Sequence, residues 1–296
     1  MKRNTLFPYI IETHLVDHCN LDCAGCSHFA PLVDGEVYTD PDQFKRDLAR
    51  LAQIFEDVYE IRLMGGEPLL HPDIISFIEF SRRTFPKSNI VIMTNGLLLQ
   101  QMPVEFWKTC AANKIHINVT NYPIRVDFDK VKEMGTTYKV PIKVPQRVNE
   151  FFQFVNINGD SDPEVSFKNC RAMYTTLFLR GMKLYTCSFA PHVHIFNTYF
   201  HQDIPLSEGD FIDLQGKVTP DEIYGFVNNS TPLCRWCKER RTPMKWRRSK
   251  KSNAEWISED KARLFHSIEI NKYKLISAYH HARQVSAMRK RHKNDA

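Results

Sequence analysis

Apolar residues along the first 160 positions fall in short β-branched runs separated by amphipathic stretches of helical period. Residues 9–16, 58–64, 89–94 and 115–120 read as strands, the third continuous in Ile and Val as a strand buried on both faces would be. Residues 140–144 and 151–157 supply a fifth and sixth, although Pro141 and Pro145 intrude. Between them, Asp40 suits the N-cap of a helix with Pro41 at its first position and Phe44, Leu48, Leu51, Ile54 and Phe55 on its apolar face. Further helices are expected over 72–85, stopped by Pro86, over 103–113 and over 127–134. Strands alternating with helices predict a parallel sheet built from right-handed βαβ units. The length does not support closure to eight, so the expected fold is α/β, a partial (β/α)6 TIM-like barrel. Such a barrel collects its ligands at the carboxyl ends of its strands.

Beyond residue 160 the pattern changes. Residues 175–180 and 183–186 flank Gly181 and predict a β-hairpin that returns Cys187 beside Cys170. We therefore expect a core over 1–160, a C-terminal β-hairpin/helix domain over 161–240, and a basic, mainly helical tail over 241–296 with a helix from 258 to 270 or beyond. From Lys238 to Ala296 there are seventeen Lys or Arg against six Asp or Glu, a net +11, whereas the whole chain is +6. A solvated end is the expected role of that excess, and binding of an acidic polymer the alternative. The opening apolar run is short and broken by Pro8, and no segment approaches a membrane span, so a cytoplasmic location is expected.

Eight cysteines in a chain without a secretion signal read as metal or catalytic ligands before disulfides. Cys19, Cys23 and Cys26 follow the first strand at the spacing Cys-x3-Cys-x2-Cys. Three thiolates leave one coordination position open, whereas structural zinc wants a fourth ligand, for which His18 and His28 are near. About forty residues later, Gly65-Gly66-Glu67-Pro68 closes the second strand, where missing side chains permit close approach to the backbone. Topology brings this motif, the cysteine loop, Asn95-Gly96 and Asn118 to one face. Cys170, Cys187, Cys234 and Cys237 form a second set able to fill every position of a closed iron–sulfur cluster or a zinc site. Cys110 reads as a small core residue, and His192 and His194 as alternating strand histidines.

The first cysteine triplet together with Gly65-Gly66-Glu67-Pro68 resembles the signature of the radical S-adenosylmethionine (AdoMet) superfamily. The resemblance implies that Cys19, Cys23 and Cys26 hold a 4Fe-4S cluster and that Gly65, Gly66, Glu67 and Pro68 hold the methionine moiety. It implies, more loosely, ribose contact by Asn118 and cofactor contacts by Asn95 and Arg147. Gly25 stands where the family has an aromatic residue against the adenine, and Phe29 or His28 is the expected substitute. The second set, Cys170, Cys187, Cys234 and Cys237, resembles the auxiliary 4Fe-4S region called SPASM or, in its one-cluster form, twitch. The implied activity is hydrogen abstraction from a hydroxylated, sugar-like small molecule, with an electron donor such as flavodoxin or ferredoxin. No membrane or nucleic-acid partner is expected. A peptide maturase is the alternative, and a zinc-stabilised nucleic-acid binder is the reading from another class.

Overall fold

The computed structural model describes residues 10–170 and 176–257. Its centre is laid down by the predicted alternation: β1 (Ile10–Val16), α1 (Pro41–Ile54), β2 (Glu60–Gly65), α2 (Ile74–Thr84), β3 (Asn89–Thr94), α3 (Val104–Ala112), β4 (Ile115–Val119), α4 (Phe128–Tyr138) and β5 (Ile142–Lys143). The five strands pair in parallel, with Ile11 opposite Ile61, Ile61 opposite Ile90, and Ile92 opposite Ile117. These isoleucines are fully buried and meet Phe44, Leu48 and Leu51 of α1 in the main core. Fully burying an aliphatic side chain contributes about 1.5–3 kcal/mol, so this register is strongly selected. Asp40 caps α1 as its sequence predicts, accepting from the Asp42 and Gln43 amides. Cys110 is buried in the same core.

The expected sixth strand is corrected. Residues Glu150–Val155 do form a strand, β6, but it pairs antiparallel with a distant one and leaves the main sheet. Glu150 is exposed and Gln153 half-buried, which suits a two-stranded ribbon and not the interior of a sheet. After α5 (Pro163–Lys168), the free edge of β1 is taken by β7 (Thr176–Arg180), parallel to it, with Leu177 and Leu179 buried in the main core. The predicted hairpin then forms: β7 turns through Gly181 and Met182, both at φ +60, into β8 (Lys183–Tyr185). The Asp47 carboxylate on α1 holds that turn, accepting from the Gly181 and Met182 amides at 2.9 and 2.7 Å. Next come α6 (Phe189–Phe200), β9 (Ile212–Asp213), α7 (Pro220–Val227) and β10 (Cys237–Lys245), the partner of β6. The main sheet runs β5-β4-β3-β2-β1-β7-β8-β9, an open partial barrel.

A second core sits under α6. Phe29, Phe154, Phe189, Phe196 and Trp256 are buried there. The described part of the basic region, up to residue 257, is therefore strand and packed loop; the helix expected from 258 lies outside the described residues. No helix among the described residues is long and apolar enough to cross a membrane.

Candidate active site

The cysteine loop leaves β1 at Val16 and lies directly on the end of β2. The Gly66 amide donates to the Val16 carbonyl at 2.7 Å, and the Glu67 amide to the His18 carbonyl at 3.2 Å. A Cβ on Gly66 would fall 2.0 Å from the His18 oxygen, and one on Gly65, at φ +153, 2.1 Å from the Val16 oxygen. The paired glycines thus admit the cysteine loop itself. Glu67 is fully buried, and its carboxylate accepts from Thr94 Oγ1 at 2.6 Å, the Asn95 amide at 2.8 Å and the Leu69 amide at 3.2 Å. Burial pushes its pKa up to about 7 against those three donors. The carboxylate locks the strand ends together, and the motif's backbone is what remains to meet a ligand.

Asn95 is brought to the loop as expected: its Nδ2 donates to Asn20 Oδ1 at 2.7 Å and stands 3.8 Å from Cys19 Sγ. Asn118 is half-buried on β4, opposite Met93 and Lys143, while Arg147 is exposed. Phe29 is corrected. It has no exposed surface and is ringed by Phe154, Phe189, Phe196 and Trp256, which leaves no face for an adenine.

Residues 245–257 form a strap over the loop that local sequence patterns did not reveal. The Ala24 amide donates to the Arg247 carbonyl at 3.0 Å and the Ser249 amide to the Asp22 carbonyl at 2.7 Å. Trp246 Nε1 donates to Cys23 Sγ at 3.1 Å and Trp256 Nε1 to the Cys26 carbonyl at 2.8 Å. Buried Glu255 ties the strap to itself through Arg247 Nη1, the Lys250 amide and Ser249 Oγ. A Cβ on Gly25 would fall 3.1 Å from both the Glu255 oxygen and Met244 Sδ, so the strap and the end of β10 crowd the place of the family's aromatic residue. Beside it, Trp246 stacks on Tyr122 and Tyr122 on Phe151. The one sequence signal was a tryptophan inside a basic run.

Burial pushes the Cys19 thiol up to about 12 and raises Cys23 and Cys26, with neighbouring thiols adding to the effect at Cys19 and Cys23. Three thiols that resist ionisation together suit a cationic metal core, which supplies the missing charge and holds them deprotonated.

The second set also converges. Cys170 follows α5, Cys187 precedes α6, Cys234 sits in a short 3-10 turn and Cys237 begins β10, and all four line one cavity of about 310 Å³ with Phe154, Phe178 and Arg241. Burial pushes Cys187 up to about 12 and Cys237 well above its ordinary value. All eight cysteines of the chain are free thiols.

A polar chain, buried at His14, Asp17 and His192, joins the end of β1 to α6. Arg180 grips Asp17 through two hydrogen bonds of 2.8 and 2.7 Å, His14 Nδ1 lies 3.1 Å from Asp17 Oδ1, and His192 Nε2 lies 2.9 Å from His14 Nδ1. His192 stands on α6, not on the expected strand, and it is buried whereas His194 is exposed. Burial lowers the pKa of His14 and, further, of His192. Below pH 6.5 the unfolded chain therefore binds protons that the folded chain refuses, so stability present above that pH is lost as pH falls. At pH 5.5 the loss is about 1.4 kcal/mol for each histidine still neutral in the fold. Urea midpoints measured between pH 7.5 and 5.5 should fall accordingly, and H192Q should weaken that slope.

Cysteine loop, strand-end glycines and open parallel barrel together define a metal-cluster enzyme fold with its site at the carboxyl edge of the sheet. Residues 14–159 match the family model of the Radical SAM superfamily, and the chain carries a radical SAM domain there. That family implies a 4Fe-4S cluster and AdoMet binding at the first site. The chain is similar to GTP 3′,8-cyclase of Mannheimia succiniciproducens, 27% identical over 113 residues covering 38% of this chain and 33% of that protein. It is also similar to GTP 3′,8-cyclase of Trichodesmium erythraeum, 35% identical over 101 residues covering 33% and 30%. The matched segments span about a third of these curated relatives. Among solved structures, BtrN in complex with AdoMet and 2-DOIA is 16% identical with a TM-score of 0.48, over 78% of this chain and 93% of that one. anSMEcpe with bound AdoMet is 20% identical with a TM-score of 0.38, over 46% and 43%.

Proposed function

We propose that this protein is a radical AdoMet oxidoreductase acting on a hydroxylated, sugar-like small molecule. Its second cysteine set holds an auxiliary 4Fe-4S cluster that accepts an electron. The observation that carries the reading is the meeting of Cys170, Cys187, Cys234 and Cys237 around one cavity that Glu12 of β1 and Phe178 of β7 also line. Four thiols leave no coordination position for substrate, which favours electron transfer over substrate binding. The number and placement of these cysteines also resemble those of the aminoglycoside-pathway dehydrogenase acting on 2-deoxy-scyllo-inosamine. When bound, the first cluster and AdoMet would supply a 5′-deoxyadenosyl radical able to take a hydrogen atom from substrate carbon, and an auxiliary cluster would supply an acceptor for the second electron.

The chain's own residues orient and enclose. Cys19, Cys23 and Cys26 hold the first cluster; the backbone of Gly65-Gly66-Glu67-Pro68 and Asn95 meet the methionine end of AdoMet, and Asn118 its ribose. The strap at residues 245–257 shields the loop from water. Facing inward, Arg62 joins Glu12 at 2.8 Å and Glu60 at 2.6 Å, a polar floor suited to a polyol. A flavodoxin- or ferredoxin-class donor supplies the initiating electron.

Anaerobic reconstitution should load about eight irons, four per cluster. 5′-Deoxyadenosine should form under a low-potential reductant and vanish in Cys23→Ala. Colourless protein carrying stoichiometric zinc would sink the reading.

A further inference from the structure

Arg241 stands in the second cavity as a cation whose charge the fold leaves to the thiols. Its Nη2 lies 3.0 Å from Cys170 Sγ, and it lines the cavity that all four cysteines share. The Phe154 ring stands 5.7 Å from its guanidinium carbon. Among the described residues no carboxylate comes within ion-pair distance of it. The nearby Glu239 is engaged elsewhere, its Oε1 accepting from the Asp162 amide at 3.0 Å.

The backbone is built to place this cation. Between Cys237 and Thr242, β10 advances five residues while β6 advances only the two from Val155 to Gln153. The surplus forms a bulge, a device that re-aims side chains. α5 and its cap pin the bulge: Ser166 Oγ donates to the Cys237 carbonyl at 3.1 Å and Asn169 Nδ2 to the Glu239 carbonyl at 3.1 Å. A guanidinium is not deprotonated in proteins, so Arg241 stays a cation beside the thiols.

We propose that Arg241 raises the reduction potential of the cluster held by Cys170, Cys187, Cys234 and Cys237, making that cluster the acceptor of the substrate's second electron. The inference rests on the auxiliary-cluster reading above. Potential follows net charge and hydrogen bonds to the sulfurs. Each electron added to a thiolate-bound cluster increases its negative charge, and a fixed cation on one ligand sulfur favours the more negative state. The substrate radical is oxidised by one electron as its proton departs, the cluster is reduced by one, and an external one-electron carrier of the flavodoxin or ferredoxin class reoxidises it.

The test uses full-length protein with Cys19, Cys23 and Cys26 replaced by alanine, so that the second cluster is observed alone. Iron is counted, and the midpoint is read by a redox titration followed by electron paramagnetic resonance. R241Q should lower the reduced-to-oxidised ratio at fixed potential at least tenfold, which is about 59 mV for one electron. R241K keeps the charge but loses the planar fork, and its midpoint should lie between the two. A loaded cluster whose midpoint is unchanged in R241Q overturns the role of Arg241 alone. If R241Q fails to load iron, R241A is titrated in its place, and a midpoint equal to that of wild type overturns the proposal. Zinc, or no iron, in the starting protein overturns the cluster reading and the proposal with it.

Discussion

Gly66→Ala is expected to cut 5′-deoxyadenosine formation about 100-fold or more, the scale on which a displacement near 1 Å away from the reacting atoms is felt. The added Cβ would sit 2.0 Å from the backbone oxygen of His18, and backbone cannot swing aside as a side-chain tip does. Relief requires moving the cysteine loop off the end of β2, which breaks the 2.7 Å Gly66–Val16 and 3.2 Å Glu67–His18 hydrogen bonds together. Cys19 lies one residue beyond His18, so the displacement falls on the first thiol. The strand itself ends at Gly65 and its core residues, Ile61 and Leu63, are untouched, so the thermal midpoint should drop far less than the activity. Gly225→Ala in α7 is the control: nothing lies within 4 Å of the place a Cβ would take there, and alanine should be neutral or stabilising by up to about 1 kcal/mol. Equal activities in the two variants would show that the close approach at Gly66 does not matter.

Cys234→Ala is expected to separate the two halves of the chemistry. Deoxyadenosine production should persist near the wild-type rate, because the first loop makes none of its observed contacts with this cysteine, while product formed per deoxyadenosine falls at least tenfold. The site is local: Cys234 occupies a 3-10 turn whose Leu233 amide donates to Asp210 Oδ1 at 2.6 Å, and that anchor survives the substitution. Iron content should fall toward half as the second set loses a ligand. Parallel loss of cleavage and product, with first-cluster iron retained, would remove the electron-accepting role from this site.

Much of the barrel was legible because its signals are local. Asp40-Pro41 announced a helix, the isoleucine runs announced strands, and Gly181 announced the hairpin, each within a few residues of the contact it makes. The triplet Cys19, Cys23 and Cys26 stood out for a similar reason, since thiols at short spacing have few other uses, and the hairpin signal at Gly181 pointed Cys187 back toward Cys170. What stayed hidden depends on distance along the chain. β6 looked like a sixth barrel strand because its partner, β10, begins more than eighty residues later and carries no complementary pattern. His192 looked like a strand residue because Pro191 obscured the helical period of α6. Trp246 and Arg241 were submerged in a run of basic residues, whose usual fate is solvation; only the fold shows that one donates to Cys23 and the other to Cys170. Phe29 was misplaced for the opposite reason, being close in sequence to the loop yet buried in a different core.

The strap has a consequence for biogenesis. Cys23 and Trp246 lie more than two hundred positions apart, so at ribosomal speeds of roughly 5–20 residues per second the loop waits on the order of ten to fifty seconds for its cover. During that interval the three thiols are born, spaced and open. Iron delivered to the nascent chain would meet an uncovered, oxygen-accessible site, whereas iron delivered after release meets one that must first be unlatched. Residues 245–257 therefore set the moment at which the loop is covered, and iron supplied before and after that moment would meet two different sites.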